Sequence, residues 1–441
     1  MAIRIERLSS HVGVLILLLV QLLAPAGVSA QQAIVPLQFS FSDPGARSMG
    51  FGGAFVALAD DATAAFANPA GLVQLLKPEV SIEGRSWSYS SPYTVGGRLE
   101  GLPSGNGIDT TVGLRTAESD ADVTGLSFLS LAYPKGNWSL AFFRHELSNL
   151  EFFSETQGLF GGSDCCPIRE FDQRATSDLE IVSYGFSTAY RISDKLDLGL
   201  GLVYYDADIE ANVTQFLWDE DSPESFFGPN SYLQERMLIS VRSFADDSDW
   251  SLTGGVLWRL SPNWSIGVVY RQGPDIQNGI EGIAGEAGDF GVPPGEVIGL
   301  ASAAEVEFPD IYGLGFAYRA PNGRLTVTFQ WDHVKYSSIV ASLELDDQMV
   351  DNADELHLGA EYVFLGSTPI IALRLGTWWE PDHQLRATID DPLLRALLPP
   401  GEDEMHYAAG LGVAMRSFQI DLGVDFADRL DTVSLSAIYS F

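Results

Sequence analysis

The clearest structural signal in the chain lies at its C-terminus, in FQIDLGVDFADRLDTVSLSAIYSF (residues 418–441). Apolar and polar side chains alternate in both halves of this stretch. The apolar positions are Phe418, Ile420, Leu422, Val424 and Phe426 in the first half and Val433, Leu435, Ala437, Tyr439 and Phe441 in the second. Asp421 and Asp425 lie between members of the first set, so that face needs water. A period of two with one wet face and one apolar face indicates two β-strands whose apolar face meets a core or lipid.

The same alternation recurs along most of the chain. It appears in residues 78–90, 121–133, 136–147, 177–192, 195–210, 247–260, 263–273, 309–320, 323–335, 353–364, 368–379, 404–416, 418–427 and 431–441. Many of these segments are longer than a typical globular strand and match the length that crosses a bilayer. Aromatic residues near their ends are typical of membrane interfaces: Trp87, Trp138, Trp250, Trp258, Trp264, Trp331, Trp378 and Tyr439. The sequence therefore predicts an all-β protein, a transmembrane antiparallel β-barrel of about 14 strands over residues 78–441.

The connections between these segments alternate in length. Short turns fall at 134–136, 193–194, 261–262, 321–322, 366–367 and 416–417, whereas long loops are expected at 91–120, 148–176, 211–246, 274–308, 336–352 and 380–403. Short periplasmic turns and long extracellular loops are typical of outer-membrane barrels. A soluble β-sandwich or propeller is the alternative, but it does not require this alternation.

The first 30 residues have the features of a secretory signal peptide. Arg4 and Arg7 precede an apolar run over residues 12–23, and Val28-Ser29-Ala30 forms a small-residue cleavage site. A short membrane anchor is the alternative interpretation. Together with the barrel pattern, the signal predicts localisation in a bacterial outer membrane.

The charge balance restricts the possible partners. The chain has 59 Asp and Glu against 25 Lys and Arg, a formal net charge of −34, which argues against binding nucleic acid. Acidic groups concentrate in the expected outer loops, where they are either simply solvated or bridged by divalent cations to outer-membrane lipid or lipopolysaccharide. The two cysteines, Cys165 and Cys166, are adjacent, and the six histidines are scattered. We therefore expect no metal site, no cofactor and no enzymatic activity.

Residues 31–77 differ from the strand segments. They are rich in Gly and Ala and are too short to form a separate domain, which suits a segment folded inside the barrel lumen. Within them, ARSMGFGGAFVALADDATAAFANPAGL (residues 46–72) resembles the N-terminal hatch of the outer-membrane long-chain fatty-acid transporter family, which includes aromatic-hydrocarbon uptake channels. The candidate hatch residues are Arg47, Gly52, Gly53, Asn68, Pro69 and Gly71.

Later segments resemble strands of the same family. They are FPDIYGLGFAYR (308–319), ADELHLGAEYVF (353–364), IALRLGTWWEPD (371–382) and VSLSAIYSF (433–441). The resemblance implies a fourteen-stranded barrel with a hatch that takes up hydrophobic small molecules, such as long-chain fatty acids or hydrocarbons, without an energy source. It also implies lateral release into the bilayer at a kink in the third strand. The main alternative is a related barrel of the type IX secretion system that docks secreted proteins, and a polar-solute porin is a further one.

The third strand contains a candidate kink. Trp138, Leu140 and Phe142 share the apolar parity, and the next position on that parity is Arg144. An Arg facing mid-bilayer lipid costs roughly 2–4 kcal/mol. We therefore predict a register break at Phe142, Phe143 and Arg144 that turns Arg144 and Glu146 into the lumen. The alternative is that Arg144 lies at the outer interface and extends into it.

Apolar residues in the long loops are candidates for ligand binding. Phe216, Trp218, Phe226 and Phe227 fall in one expected loop and Phe290 in the next, where they form either an entry groove or loop–loop packing. Parity directs Arg259, Arg271, Arg319, Arg374 and Arg416 inward, either to hold a carboxylate or to pair with lumen acids. The terminal Phe441 resembles the signal read by the barrel assembly machinery. We expect a monomer.

Overall fold

The computed structural model describes residues 43–163, 166–170, 172–218, 226–288, 291–298, 302–343 and 347–441. The expected signal peptide, the first part of the expected hatch, Cys165 and Phe290 lie outside these residues. Within the described part of the chain, no helix is both long enough and apolar enough to cross a membrane.

Strands dominate the described chain. They are β1 (Glu79–Arg98), β2 (Leu114–Lys135), β3 (Trp138–Thr156), β4 (Leu159–Ser163), β5 (Cys166–Arg169), β6 (Asp172–Ser193), β7 (Leu196–Phe216), β8 (Met237–Arg259), β9 (Trp264–Arg271), β10 (Asp275–Ala284), β11 (Ser302–Glu307), β12 (Ile311–Arg319), β13 (Leu325–Val334), β14 (Gln348–Met349), β15 (Ala353–Phe364), β16 (Ile370–Glu380), β17 (Arg386–Ala387), β18 (Glu404–Met415), β19 (Phe418–Phe426) and β20 (Leu430–Ser440). Four short α-helices are α1 (Ala46–Gly50), α2 (Ala64–Ala67), α3 (Ser337–Ser342) and α4 (Pro392–Leu397). Two 3-10 helices cover Pro69–Gln74 and Gln234–Arg236.

The strands form a closed antiparallel barrel with fourteen positions around the wall, each filled by one strand or by two consecutive strands, as predicted. β9 and β10 together form one barrel strand, because both pair with β8. β11 and β12 together form the next one, because β11 pairs with β10 and β12 pairs with β9. The barrel closes where β1 pairs with β20, from Glu79 opposite Ser440 to Tyr89 opposite Leu430. Closure pairs the first barrel strand with the last, so neither is left as an edge strand.

The two ends of the barrel differ. Both barrel termini and the short turns, such as the one between β2 and β3, lie at one end, which we call the turn end. The long connections lie at the opposite end, the loop end. By the usual arrangement of outer-membrane barrels, the turn end faces the periplasm and the loop end faces outward.

Several expected loops are in fact strand. β1, β2, β3, β6, β7 and β8 contain 19 to 23 residues each and extend into the ranges 91–120, 148–176 and 211–246. β10 and β11 likewise occupy part of 274–308. The sequence pattern failed here because these extensions carry polar outward residues such as Glu118 and Asp120. A strand that projects beyond the lipid needs no apolar outer face.

Outward aromatic residues mark the outer limit of the apolar band. Tyr184 pairs with Tyr204, and Tyr204 pairs with Trp250, so these three residues form a row across β6, β7 and β8, which we call the outer aromatic row. Trp138, Trp258 and Trp264 are exposed near the turn end. The interface prediction was wrong for Trp87 and Trp378, which are buried.

Candidate functional site

The N-terminal segment, residues 43–77, packs against the inward faces of strands on opposite sides of the barrel. α1 contacts β16, β18, β19 and β20, whereas the 3-10 helix contacts β6, β7 and β8. Phe51, Phe55 and Leu58 are fully buried. Gly52 and Gly53 have φ of 64° and 78°, a left-handed backbone that favours glycine, and they turn the chain after α1.

Asn68 organises the middle of this segment. Its side-chain amide donates to the carbonyl of Val56 at 2.9 Å and to that of Val256 on β8 at 3.2 Å. Its Oδ1 accepts from the N–H of Ala70 and caps the 3-10 helix that begins at Pro69. One side chain therefore ties two parts of the segment to the wall. Gly71 lies so close to the Ala59 carbonyl that an added Cβ would be 2.0 Å from its oxygen.

Strand glycines bring the wall against the backbone of the N-terminal segment. A Cβ added to Gly199, Gly255, Gly267, Gly359 or Gly376 would lie 2.2–2.3 Å from an atom of this segment. These glycines come from five different strands. The segment therefore fits the wall at backbone contact distance around much of the lumen.

Polar side chains of the wall bind the backbone of the segment. Gln330 accepts from the N–H groups of Phe55 and Val56 at 2.9 and 2.8 Å. His357 Nδ1 lies 2.7 Å from the carbonyl oxygen of Gly52. Buried backbone groups in an irregular segment need such partners.

Arg47 connects the segment to an ionic network. It pairs with Asp60 at 2.5 Å, with Asp61 at 3.2 Å and with Glu361 on β15 at 3.5 Å. Asp60 also pairs with Arg319 at 2.7 Å. Burial opposes ionisation of Asp60, but the two arginines lower the pKa of its carboxyl to about 2.

The inward arginines are paired with acids. Arg259 pairs with Asp197 at 2.5 Å, Arg271 with Asp43 at 2.5 Å, and Arg374 with both Glu361 and Asp421 at 2.7 Å. Of the two alternatives, these arginines therefore follow the one in which they pair with acids of the lumen, and not the one in which they hold a carboxylate of the ligand. The inward prediction was wrong for Arg416, which is exposed in the turn between β18 and β19, where the chain reverses and parity no longer applies.

An apolar cluster lines the lumen on the loop side of the N-terminal segment. Its aromatic part joins Phe66 to Phe128, Phe143 and His145, with Phe66 and Phe143 centroids 5.8 Å apart. The cluster continues along the inward faces of the long strands through Leu147, Leu150, Leu179, Ile181, Val203 and Tyr205. We call this set, from Phe66 to Tyr205, the lumen cluster.

The wall is interrupted beside the lumen cluster, between β2 and β3. These strands pair only from Phe128 opposite His145 to Lys135 opposite Trp138. Beyond that point β2 pairs with β1, and β3 pairs with β6. The interruption therefore covers residues 114–127 of β2 and 146–156 of β3. At the loop end it is bounded by β4, which pairs with β1 at Gly97 and Arg98.

Polar side chains bridge the interruption. Arg144 donates to the carbonyl of Leu126, which has no ladder partner on β3, and pairs with Glu146 at 3.2 Å. Asn149 donates to the other Glu146 oxygen at 3.0 Å. Nearer the loop end, the N–H of Phe153 donates to Ser119 Oγ at 3.0 Å. We call Arg144, Glu146 and Asn149 the polar latch.

The predicted kink is in a different place. Pairing between β3 and β6 is regular from Trp138 to Glu146, so the predicted register break at Phe142, Phe143 and Arg144 was wrong. The break falls between Glu146 and Ser148, where Leu147 is the extra residue of a bulge. Phe142 faces outward against Phe186 and Phe143 is buried against Phe128, so alternation is intact there.

The position of Arg144 explains why no earlier break is needed. Arg144 pairs with Tyr184 and so lies level with the outer aromatic row. At that level polar headgroups and water reach a long side chain, and the mid-bilayer cost does not apply. Arg144 and Glu146 thus remain on the outward side and join the latch instead of turning into the lumen.

The predicted loop aromatics meet at the loop end. Trp218 and Phe226 lie 5.6 Å apart, Phe226 and Phe227 4.9 Å, and both phenylalanines contact Phe160. Phe216 lies apart from them, against Tyr232. Arg169, which pairs with Asp172 at 2.5 Å, lies over Phe160 and Trp218.

The sequence reasoning missed several residues of these sites. Phe160 and Arg169 fall in a Gly-rich stretch without clear alternation, and Phe66 and Phe128 become neighbours only in the fold. Asn149 carried a usable signal, because the inward parity changes from odd to even between His145 and Leu150.

Two groups of acids and a histidine also come together in the described chain, although scattered histidines predicted none. They are Asp332, Glu355 and His357, and Glu380, Glu404 and His406. Neighbouring strands place residues that are distant in sequence side by side. Such groups have no characteristic spacing in the sequence and are therefore not predicted from it.

Comparisons with known proteins agree with this architecture. A family model described as "Outer membrane protein transport protein (OMPP1/FadL/TodX)" matches residues 171–427, more than half of the chain. No curated protein matches the sequence.

Solved structures share the fold at low sequence identity. A FadL homologue from Pseudomonas aeruginosa is 16% identical, with a TM-score of 0.62 over 92% of this chain and 100% of that chain. The P. putida toluene transporter TodX is 14% identical, with a TM-score of 0.55 over 91% and 99%. The Ralstonia pickettii toluene transporter TbuX is 14% identical, with a TM-score of 0.53 over 91% and 99%. The chain belongs to the outer membrane protein transport protein family (OMPP1/FadL/TodX), a family of outer-membrane transport channels and not of enzymes.

Proposed function

We propose that this protein is a passive outer-membrane channel that takes up hydrophobic small molecules, long-chain fatty acids or hydrocarbons, and releases them sideways into the bilayer. The observation that carries the proposal is the interruption between β2 and β3 directly beside the lumen cluster. TodX and TbuX, which share the fold, are described as toluene transporters.

Entry begins at the loop end. Trp218, Phe226 and Phe227, with Phe216 nearby, offer apolar surface on which a hydrophobic molecule first binds. Phe290, outside the described residues, belongs to the same proposal. Binding here removes apolar surface from water and needs no energy source.

The N-terminal segment acts as a hatch that blocks the route to the turn end. Arg47, Gly52, Gly53, Asn68, Pro69 and Gly71 hold it through the contacts described above. A hydrophobic molecule in the lumen cluster then has the hatch on one side and the interrupted wall on another.

Release takes place through the wall, across the polar latch. A hollow of about 400 Å³, with Ser119 and Asp120 of β2 and Phe152 and Phe153 of β3 in its lining, lies on the loop-end side of the latch, in the strand extensions beyond the lipid. Because the latch lies level with the outer aromatic row, a molecule leaving here enters lipid at the outer edge of the apolar band. An apolar molecule has little reason to cross the aqueous periplasm when this exit is nearer.

The electrostatics of the cluster favour uncharged cargo. Three arginines interact electrostatically with His145, and each is already paired with an acid. Arg85 pairs with Glu83, Arg144 with Glu146, and Arg271 with Asp43. A fatty-acid carboxylate would have to displace one of these partners. We therefore expect hydrocarbon uptake to exceed fatty-acid uptake.

Other partners follow from the barrel itself. A closed wall needs no second copy, so we propose a monomer. Lipid or lipopolysaccharide contact through the acidic loops and recognition of Phe441 by the barrel assembly machinery stay predictions.

Uptake by intact cells tests the proposal. We expect cells that carry the gene to accumulate labelled toluene faster than cells that lack it, with a smaller gain for labelled oleate. If cells with and without the gene take up toluene at the same rate and also take up oleate at the same rate, the channel function is contradicted. If cells that lack the gene lose secreted proteins from their surface but take up both compounds as fast as cells that carry it, the type IX docking role would replace the channel function.

A further inference from the structure

Two glutamates lie opposite each other at the loop end, away from the lumen cluster. Glu380 is the last residue of β16, Glu404 is the first of β18, and the ladder pairs them directly. Their exposed fractions are only 3% and 4%. Like charges placed opposite one another on neighbouring strands are destabilising, and burial increases the cost.

Two histidines complete the cluster. His406 lies two residues beyond Glu404 on the same face, with its Nε2 3.1 Å from Glu380 Oε2. His383 follows Glu380 by three residues, with its Nε2 3.9 Å from Glu380 Oε1. One ligand atom from each of Glu380, Glu404 and His406 lies within 4.8 Å of the others.

The cluster has buried oxygens without a hydrogen bond. Glu380 Oε1 and Glu404 Oε2 are both buried and unpartnered. Among the described residues, neither glutamate forms an ion pair with Lys or Arg. Asp425 adds a third carboxylate 3.4 Å from His406, so even two protonated imidazoles would leave one negative charge without compensation.

The glutamate and histidine atoms that point away from the cluster have the partners that are usual for metal ligands. Glu404 Oε1 accepts from the N–H of Arg429 at 2.5 Å, which leaves the other oxygen facing the cluster. His383 Nδ1 lies 3.1 Å from the carbonyl oxygen of Pro381, and His406 Nδ1 faces Asp425. A histidine whose other nitrogen faces a carbonyl or carboxylate is the usual metal-binding arrangement.

Aromatic rings fix both imidazoles. His383 stacks on Tyr336 at 4.2 Å, and His406 stacks on Trp378 at 3.7 Å between ring centroids. Stacking therefore fixes the orientation of both imidazoles. A small cleft lined in part by Asp382, Glu402 and Arg429 lies beside the cluster.

We propose that Glu380, Glu404 and His406, with His383 as the fourth ligand, bind a divalent transition-metal ion. Two carboxylate oxygens and two imidazole nitrogens suit Zn²⁺, whereas Ca²⁺ and Mg²⁺ prefer oxygen ligands alone. The ion compensates the paired glutamates and fixes the base of the connection 381–403.

That connection gives the site a structural consequence. It contains α4, and the carbonyl of Ala396 accepts from Thr94 Oγ1 of β1 at 2.6 Å. β17, in the same connection, pairs with β14. A metal at its base would therefore hold in place a segment that reaches from β16 to β1 at the mouth of the barrel.

Metal content and Co²⁺ spectra of the purified full-length protein test the site. The protein is stripped with EDTA, loaded with ZnCl₂ or CoCl₂ and dialysed. We expect a bound ion, a tetrahedral Co²⁺ visible spectrum, and slower proteolysis within 381–403 when Zn²⁺ is present. E404Q and H406Q are expected to lose that ion, its spectrum and the protection.

H333Q is the matched control, because His333 lies at the end of β13 and contacts the exposed Asp354 outside the cluster. It is expected to bind as the original protein does. Heat-modifiable migration on SDS gels shows that each variant is folded. The proposal is overturned if the folded original protein binds no Zn²⁺, or if folded E404Q and H406Q retain the same number of ions and the same spectrum.

Discussion

Deletion of Leu147 is expected to reduce hydrocarbon uptake to the level of cells that lack the protein. Leu147 is the extra residue where Glu146 pairs with Val182 and Ser148 with Ile181, so its removal makes the β3–β6 ladder continuous. The inward face of the remaining strand is unchanged, because Ser148 and Leu150 keep their parity. A straight β3 continues alongside β2 beyond Phe128 and closes the proposed exit.

The measurement is the initial rate of labelled toluene uptake, normalised to the amount of folded protein in the outer membrane. Deletion of Ile192 is the matched control, since Ile192 is the extra residue of another bulge, near the β6–β7 turn. It is expected to leave uptake unchanged. Normal uptake by folded protein lacking Leu147 would rule out release between β2 and β3.

Substitution G255V is expected to displace the N-terminal segment. A Cβ at this position would lie 2.2 Å from Asn68 Oδ1 and 3.2 Å from Pro69 Cδ. Overpacking a filled site costs about 1–3 kcal/mol. Displacing Asn68 also breaks its bonds to Val56 and Val256, and each buried group left without a partner adds about 1–3 kcal/mol. Proteolysis within residues 43–77 and the ion conductance of single channels should both increase.

The neighbouring glycine provides the control. Gly254 lies on the opposite face of β8, and a Cβ added there meets nothing within 4 Å. G254V changes the same strand by the same volume and should leave proteolysis and conductance as they were. If G255V and G254V behave alike, the N-terminal segment does not close the lumen.

The barrel could be predicted from sequence because lipid imposes a one-sided pattern on the strands. Alternation such as that of Phe418 to Phe426 is strong wherever one face meets lipid. It fades at residues such as Glu118 and Asp120, whose outward side chains meet water, and those strand extensions were taken for loops. The end of the alternation marks the edge of the lipid, not the end of the strand.

The site was less predictable because it depends on pairing between distant strands. The parity change in β3 was expected from Arg144, but the position of that residue relative to the bilayer depends on its register with Tyr184. Glu380 and Glu404 meet only because β16 pairs with β18 across 23 intervening residues. Neither register can be derived from one strand alone.

Photo-crosslinking in intact cells tests the proposed route most directly. A hydrocarbon carrying a diazirine is taken up, activated by light, and mapped on the protein by mass spectrometry. We expect adducts on Phe143, Leu147 and Leu150 and on residues 114–127 of β2, and their loss from β2 when Leu147 is deleted. Adducts confined to the turn end and the N-terminal segment, with none along β2 or β3, would contradict release through the wall.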